Sequence, residues 1–223
     1  MPFSLHNRLV LKAKRTGNVV PGVESIILSH TLDEGKIFVP ADTSEKSFEA
    51  VINLFWSGSK ETMDAVRKQY PASKFPTSRE RFRQLYNHGT FLCATRYIAE
   101  AYKGKVYNMV FSQGGGTHGA DIAAAFYSGN PLANLLRPGF AKVAANYQSY
   151  LASHARSGDP NKYRSVAGTI DWPKLTYGPV YSNVLNVTDN GFALIKDEAN
   201  TEADCGFWTK TLGGLTKAEG ALS

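Results

Sequence analysis

Two short apolar, β-branched runs constrain this chain more than any other feature. Residues 23–29 (VESIILS) are bounded by Pro21-Gly22 before them and by Asp33-Glu34-Gly35 after them. Residues 106–111 (VYNMVF) follow Gly104 and lead into a glycine-rich loop, residues 113–119 (QGGGTHG). Runs of this length and composition, closed by turn residues, have the pattern of buried strands. Between them the apolar spacing becomes helical. Phe48, Val51, Ile52, Leu54 and Phe55 predict a helix over 44–56 with Ser44 as its cap, and a second, short helix is expected over 60–70. Two prolines make 71–77 a loop, and the longest helical pattern covers 78–102, where His88-Gly89 is expected to kink or divide it.

Strand, helical insertion and strand again define an α/β chain. After the second strand, residues 132–157 are expected to contain a further long helix, closed by Gly158-Asp159-Pro160. Turns with short apolar stretches such as 193–195 fill 161–198, and a final helix is expected over 204–212. Two central strands cannot sustain a sheet that needs several strands with helices on both faces. The element order therefore reads as the tail of a larger fold, and neither a repeat nor a clear linker divides it.

At 223 residues, with 43% hydrophobic and 12% aromatic content, the chain can bury a substantial core. The net charge of +6 and pI near 9.2 raise the question of nucleic acid. The basic residues are scattered, however: Lys12, Lys14 and Arg15 form one group, and Arg79, Arg81 and Arg83 alternate with Glu80 as on a solvated helix face. No zinc, helix-turn-helix or RNA-binding signature accompanies them, so no nucleic-acid partner is expected. No apolar run reaches membrane-spanning length. The opening segment, 1–17, does not read as a signal peptide: Leu9, Val10 and Leu11 are too few and stand between Arg8 and Lys12. Cys93 and Cys205 lack metal-like spacing, and by count alone they read as two buried thiols rather than a bridge.

Two loops carry chemistry. Asp33-Glu34-Gly35 puts carboxylates at the C-terminal end of a strand, where ligand sites of open α/β sheets lie, although the same residues make ordinary solvated turns. Gly114-Gly115-Gly116-Thr117-His118-Gly119 puts an imidazole on a loop with glycines on both sides. Such a histidine serves as a general base when a carboxylate fixes its tautomer and a nucleophile is within reach; alone, it is an exposed loop residue. The remaining histidines (His6, His30, His88, His154) form no metal-ligand spacing with it, and no metal or organic cofactor is expected. An acid after one strand and a histidine after the next is the chain order of the α/β-hydrolase triad, in which the serine comes first.

Here the sequence resembles the type-B carboxylesterases, a cholinesterase-like family that includes secreted lipases. The family's acid is usually the glutamate of an Asp-Glu-Gly turn, matched by Asp33-Glu34-Gly35, and its histidine loop is matched by His118-Gly119-Ala120-Asp121-Ile122. Further matches follow in order: Gly158-Asp159-Pro160-Asn161 after a long helix, Trp172-Pro173-Lys174-Leu175, and Cys205-Gly206-Phe207-Trp208, with Phe91-Leu92-Cys93 where many members place the partner cysteine.

The resemblance implies the C-terminal portion of an α/β-hydrolase fold, with the whole of 1–223 a partial type-B carboxylesterase domain: the last strands of the sheet, helical insertions and C-terminal helices. It implies Glu34 as orienting acid, His118 as general base, Asp121 as a supporting carboxylate rather than a third catalytic acid, and a Cys93–Cys205 disulfide. The disulfide in turn implies an oxidising, extracellular setting, with which the single sequon at Asn186 is compatible. The substrate class implied is a small carboxylic ester, hydrolysed through a serine ester. Yet no glycine here is followed two residues later by serine, so the nucleophile elbow is missing. The chain is expected to be inactive alone. Other expectations are a non-catalytic binding or adhesion relative, and a half-enzyme completed by an N-terminal segment that pairs with the exposed edge of the first strand.

Overall fold

A computed structural model describes residues 12–14, 16–56 and 58–220. Arg15 and most of the opening segment discussed above lie outside these residues.

The first strand, β1 (Ile26–Thr31), ends in a 3-10 turn over Glu34–Ile37. Then come α1 (Glu45–Trp56), α2 (Lys60–Gln69) and α3 (Ser78–Tyr86). A π-helical stretch, Asn87–Leu92, joins α3 to α4 (Cys93–Ala101). β2 (Val106–Phe111) follows and leads through a 3-10 turn, Gln113–Gly115, into α5 (Ala120–Ala125). The helices α6 (Pro131–Leu136) and α7 (Phe140–Ser157) precede β3 (Val180–Thr188), β4 (Gly191–Thr201) and α8 (Glu202–Gly220). The four strands form one mixed sheet in the order β1-β2-β3-β4. β1 pairs parallel to β2 and β2 parallel to β3, while β3 and β4 form an antiparallel hairpin.

Local chemistry accounts for the helix starts. Ser44 Oγ accepts from Ser47 N at 3.2 Å, Ser59 Oγ from Thr62 N at 3.2 Å and Thr77 Oγ1 from Glu80 N at 3.2 Å, each satisfying an orphan donor of a first turn. The long pattern over 78–102 is one continuous helical rod whose middle, around His88-Gly89, widens to π geometry rather than breaking. The long helix expected within 132–157 is α7, which starts at Phe140; Arg137, Pro138 and Gly139 set the short α6 apart from it, since proline removes a donor and Gly139 takes φ 85°. The stretch 161–198 contains β3 and most of β4, a hairpin turned at Asp189-Asn190, in place of isolated apolar segments.

β2 is buried along its whole length. Tyr107, Met109 and Phe111 point into a core with Tyr147 and Tyr150 of α7, Trp172, Leu185 and Val187, whereas Val106 and Val110 point to Ala99, Leu175, Tyr181 and Val184. Helices therefore cover both faces, as a parallel sheet requires. A third core packs α1 to α4 against Cys205 and Trp208 of α8. There Cys93 and Cys205 form a disulfide, with sulfurs 2.10 Å and Cα atoms 5.1 Å apart. The two buried thiols expected from cysteine count alone are thus replaced by a bridge, and their burial is that of the core around it.

The motifs of the C-terminal third have packing roles. Asn161 donates to the Trp172 carbonyl at 2.8 Å and accepts from Trp172 N at 2.7 Å, so the Gly-Asp-Pro-Asn turn holds the Trp-Pro segment directly. The Trp172 indole then donates to the Asn108 carbonyl of β2 at 3.1 Å. Trp208 donates to Tyr70 Oη at 2.8 Å.

Candidate active site

The acid turn and the histidine loop are stitched together by backbone hydrogen bonds. Leu32 N donates to the Phe111 carbonyl at 3.0 Å, and Asp33 N to the Gly116 carbonyl at 2.8 Å. Gly116 makes this approach possible: its φ is 54°, and a Cβ there would stand 2.5 Å from the Phe111 oxygen and 2.6 Å from Leu32 Cβ. Two loops more than eighty residues apart in sequence are therefore adjacent for a backbone reason, before any side chain is considered.

On this frame Glu34 and His118 meet. Glu34 Oε1 accepts from Thr31 N at 2.6 Å, and Oε2 lies 2.5 Å from His118 Nδ1. The Glu34 side chain is 6% exposed and that of His118 is 40% exposed. The carboxylate is thus buried and held at both oxygens, whereas the imidazole keeps an open edge. With Nδ1 donating to Glu34, Nε2 is left as the acceptor. Phe38 and Phe91 flank the ring at centroid distances of 5.0 and 4.8 Å and fix its plane.

Neighbouring elements hold the acid turn. Asp33 pairs with Arg83 of α3, and Gly35 N donates to Asn87 Oδ1 of the π-helical stretch. A Cβ at Gly35 would meet Asn87 Oδ1 at 2.7 Å and the Arg83 carbonyl at 3.0 Å. Asn87 is a contributor that sequence reasoning missed. Its only signal was the expected irregularity at His88-Gly89, and π-helical turns recur at functional sites.

The other candidate residues lie elsewhere. Asp121 is in the first turn of α5, where a carboxylate suits the helix dipole, and it makes no hydrogen bond or ion pair among the described residues. Its charge acts on Tyr147, whose hydroxyl is driven well above the usual tyrosine range, chiefly by burial. Asn186 is half-buried in β3, paired with Val110 on one side and Ala193 on the other, and its Oδ1 accepts from Ser112 Oγ at 2.6 Å. That is a paired strand, not the exposed loop on which a glycan acceptor ordinarily sits.

A second serine–histidine contact has a different character. Ser25 Oγ donates to the Gly158 carbonyl at 2.6 Å, and His154 Nε2 lies 2.9 Å away. A hydroxyl whose proton is committed to a carbonyl accepts from the imidazole, so this contact ties the start of β1 to the end of α7. Among the described residues, no group of three or more His, Cys, Asp or Glu could hold a metal ion, and no helix is long and apolar enough to cross a membrane.

A mixed sheet covered on both faces, with an acid after one strand and a histidine after the next, defines the C-terminal portion of an α/β-hydrolase fold. Solved structures agree. EstA of Aspergillus niger superposes with a TM-score of 0.71 at 18% identity, covering 90% of this chain and 42% of its own. The Geobacillus stearothermophilus carboxylesterase EST55 superposes at 0.59 and 18%, covering 89% and 41%.

No family model matches the chain. It is 34% identical over 215 residues to a secreted lipase of Arthroderma benhamiae, covering 92% of this chain and 41% of the lipase. It is 27% identical over 209 residues to carboxylesterase patB of Penicillium expansum, covering 90% and 34%. Over most of its length the chain is thus similar to carboxylesterases and to a secreted lipase, as a partial carboxylesterase-like chain would be, and it spans less than half the length of the relatives it matches.

Proposed function

We propose that Glu34 and His118 are the orienting acid and general base of a carboxylic ester hydrolase that works through a serine ester. The contact between His118 Nδ1 and the buried Glu34 carboxylate carries this reading. It leaves Nε2 on the exposed edge of the ring, where it can take the proton of an attacking serine and return it to the leaving alcohol. Glu34 holds the tautomer and stabilises the imidazolium as it forms.

The sequence supplies no serine in a Gly-x-Ser-x-Gly turn. Without that nucleophile and its oxyanion donors the chain lacks the covalent step and the main electrostatic stabilisation, and it does not turn over ester alone. In this reading residues 1–223 are the acid–base part of one larger domain, completed by an N-terminal segment. The position of β1 supports this: it pairs with β2 on one side, and its other edge has no strand partner among the described residues. The substrate is a small carboxylic ester, and no cofactor enters the chemistry. An extracellular setting is supported by the disulfide and by the secreted lipase among the relatives.

The test is an assay of purified chain with an activated short-chain ester, alone and joined to the part of the Arthroderma benhamiae lipase that it does not match. The reading expects turnover sensitive to a serine-directed inhibitor only in the joined protein. Inhibitor-sensitive turnover by the chain alone would overturn it.

A further inference from the structure

His30 is almost fully buried near the end of β1, four residues before Glu34, and the acid–base pair described above does not use it. Its two ring nitrogens face two acceptors. Nδ1 lies 3.0 Å from the Thr31 carbonyl and Nε2 lies 2.8 Å from Asp197 Oδ2 of β4. A carbonyl cannot donate and an ionised carboxylate does not, so both contacts are satisfied together only by a ring carrying a proton on each nitrogen. His30 and Asp197 are each 2% exposed, so the pair is shielded from water and salt.

The next residue connects this pair to the candidate site. Thr31 receives the His30 bond at its carbonyl and uses its own N–H to hold Glu34 Oε1 at 2.6 Å, which leaves Oε2 for His118. A chain of contacts thus runs from Asp197 through His30, Thr31 and Glu34 to His118, crossing from β4 to the end of β1. We propose that His30, as an imidazolium locked between Asp197 and the Thr31 carbonyl, is a positioning residue that fixes which Glu34 oxygen is presented to His118. The inference rests on the reading of Glu34 and His118 given under Proposed function.

The surroundings favour the charged ring. Burial opposes the charge, but the hydrogen bond and charge of Asp197, the Thr31 carbonyl and the charge of Glu34 together hold His30 above the ordinary imidazole range. Of the elements packed on β1, β2 contributes Tyr107 as its sole titratable side chain, and α4 contributes Tyr97 together with Arg96 and Glu100, which pair with each other. β4 carries Lys196 and Glu198 beside Asp197.

The test uses the full chain with 15N-labelled histidine. Ring-nitrogen shifts of wild type near neutral pH are expected to show both His30 nitrogens protonated; an unprotonated Nε2 would overturn the proposal without any variant. Asp197→Asn is expected to convert His30 to a neutral ring and to weaken or lose the resonance of the Nδ1-bound proton of His118, with Asp197→Glu restoring it. An unchanged His118 resonance in Asp197→Asn, with His30 neutral, would also overturn the proposal. In the joined protein Asp197→Asn is expected to lower kcat by about tenfold or more with KM little changed; an unchanged kcat would count against positioning. Loss of activity in Glu34→Gln and His118→Ala tests the underlying reading separately, because those variants remove the acid–base pair itself.

Discussion

Glu34 and His118 are joined at 2.5 Å through Oε2 and Nδ1, while the other Glu34 oxygen is taken by the backbone N–H of Thr31 at 2.6 Å. The carboxylate cannot rotate without giving up one of these bonds, so the acid arrives at the histidine already oriented. That division of labour between two oxygens yields a first prediction. In a joined, active protein, Glu34→Gln should lower kcat by about 10²–10⁴, because an amide nitrogen toward Nδ1 favours the wrong tautomer and no longer stabilises the imidazolium. Steady-state kinetics on the activated ester would measure it, and KM should change little.

Gly116 is where the acid turn and the histidine loop touch. Gly116→Ala combines a left-handed backbone with contacts of 2.5 Å to the Phe111 carbonyl oxygen and 2.6 Å to Leu32 Cβ. It should destabilise the chain by about 2–4 kcal/mol. Urea denaturation read as a shift in midpoint at constant slope would check this, and Gly58→Ala, which meets nothing within 4 Å, is the control.

The Cys93–Cys205 bridge spans 112 residues and is buried between α4 and α8. Its removal as the double serine variant should cost about 2–5 kcal/mol, the range for native disulfides in small secreted domains. The same loss should appear in wild type under reductant, and a denaturation midpoint insensitive to reductant would contradict it.

Two buried histidines should act on stability with opposite sign. His30 has a raised value in the fold, so its contribution is fully present below the unfolded imidazole value of about 6.5 and is lost as pH rises through the folded value. His88 is pushed down, chiefly by burial, and its contacts fit a neutral ring: Gln84 Nε2 donates to its Nε2 at 2.7 Å, and its Nδ1 lies 3.0 Å from Tyr70 Oη. Its contribution is present above about 6.5 and falls as pH drops below that value. Thermal melts from pH 5 to 9 should lose the alkaline decline in His30→Asn and part of the acid decline in His88→Gln.

The parts of this fold legible in the sequence are those in which one local signal decides the outcome. β2 matches its reading residue for residue because a six-residue β-branched and aromatic run between a glycine and a glycine-rich loop is too short for a helix of its own. The first strand is displaced, starting at Ile26 rather than Val23 and running to Thr31, because pairing with β2 decides which residues join the sheet. The β3–β4 hairpin escaped notice although Asp189-Asn190-Gly191 is turn chemistry; β4 carries Lys196, Asp197 and Glu198 in succession, so no alternation marks it as a strand. Glu34 and His118 could be singled out only together, from the order of an acid after one strand and a histidine after the next and from the ordered motifs that resemble the type-B carboxylesterases, since either loop alone reads as an ordinary turn. Asn87, Thr31 and His30 could not, since each acts through the partner that folding brings to it: Gly35, Glu34 and Asp197.

The central claim is that His118, oriented by Glu34, is the base of a serine-ester hydrolase. The most direct measurement replaces the matching portion of the Arthroderma benhamiae secreted lipase with this chain and compares wild type with His118→Ala on an activated short-chain ester. The account predicts inhibitor-sensitive turnover by the wild-type chimera and a loss of about 10³-fold or more in kcat on removal of His118. A His118→Ala chimera that hydrolyses the ester as fast as wild type would contradict it.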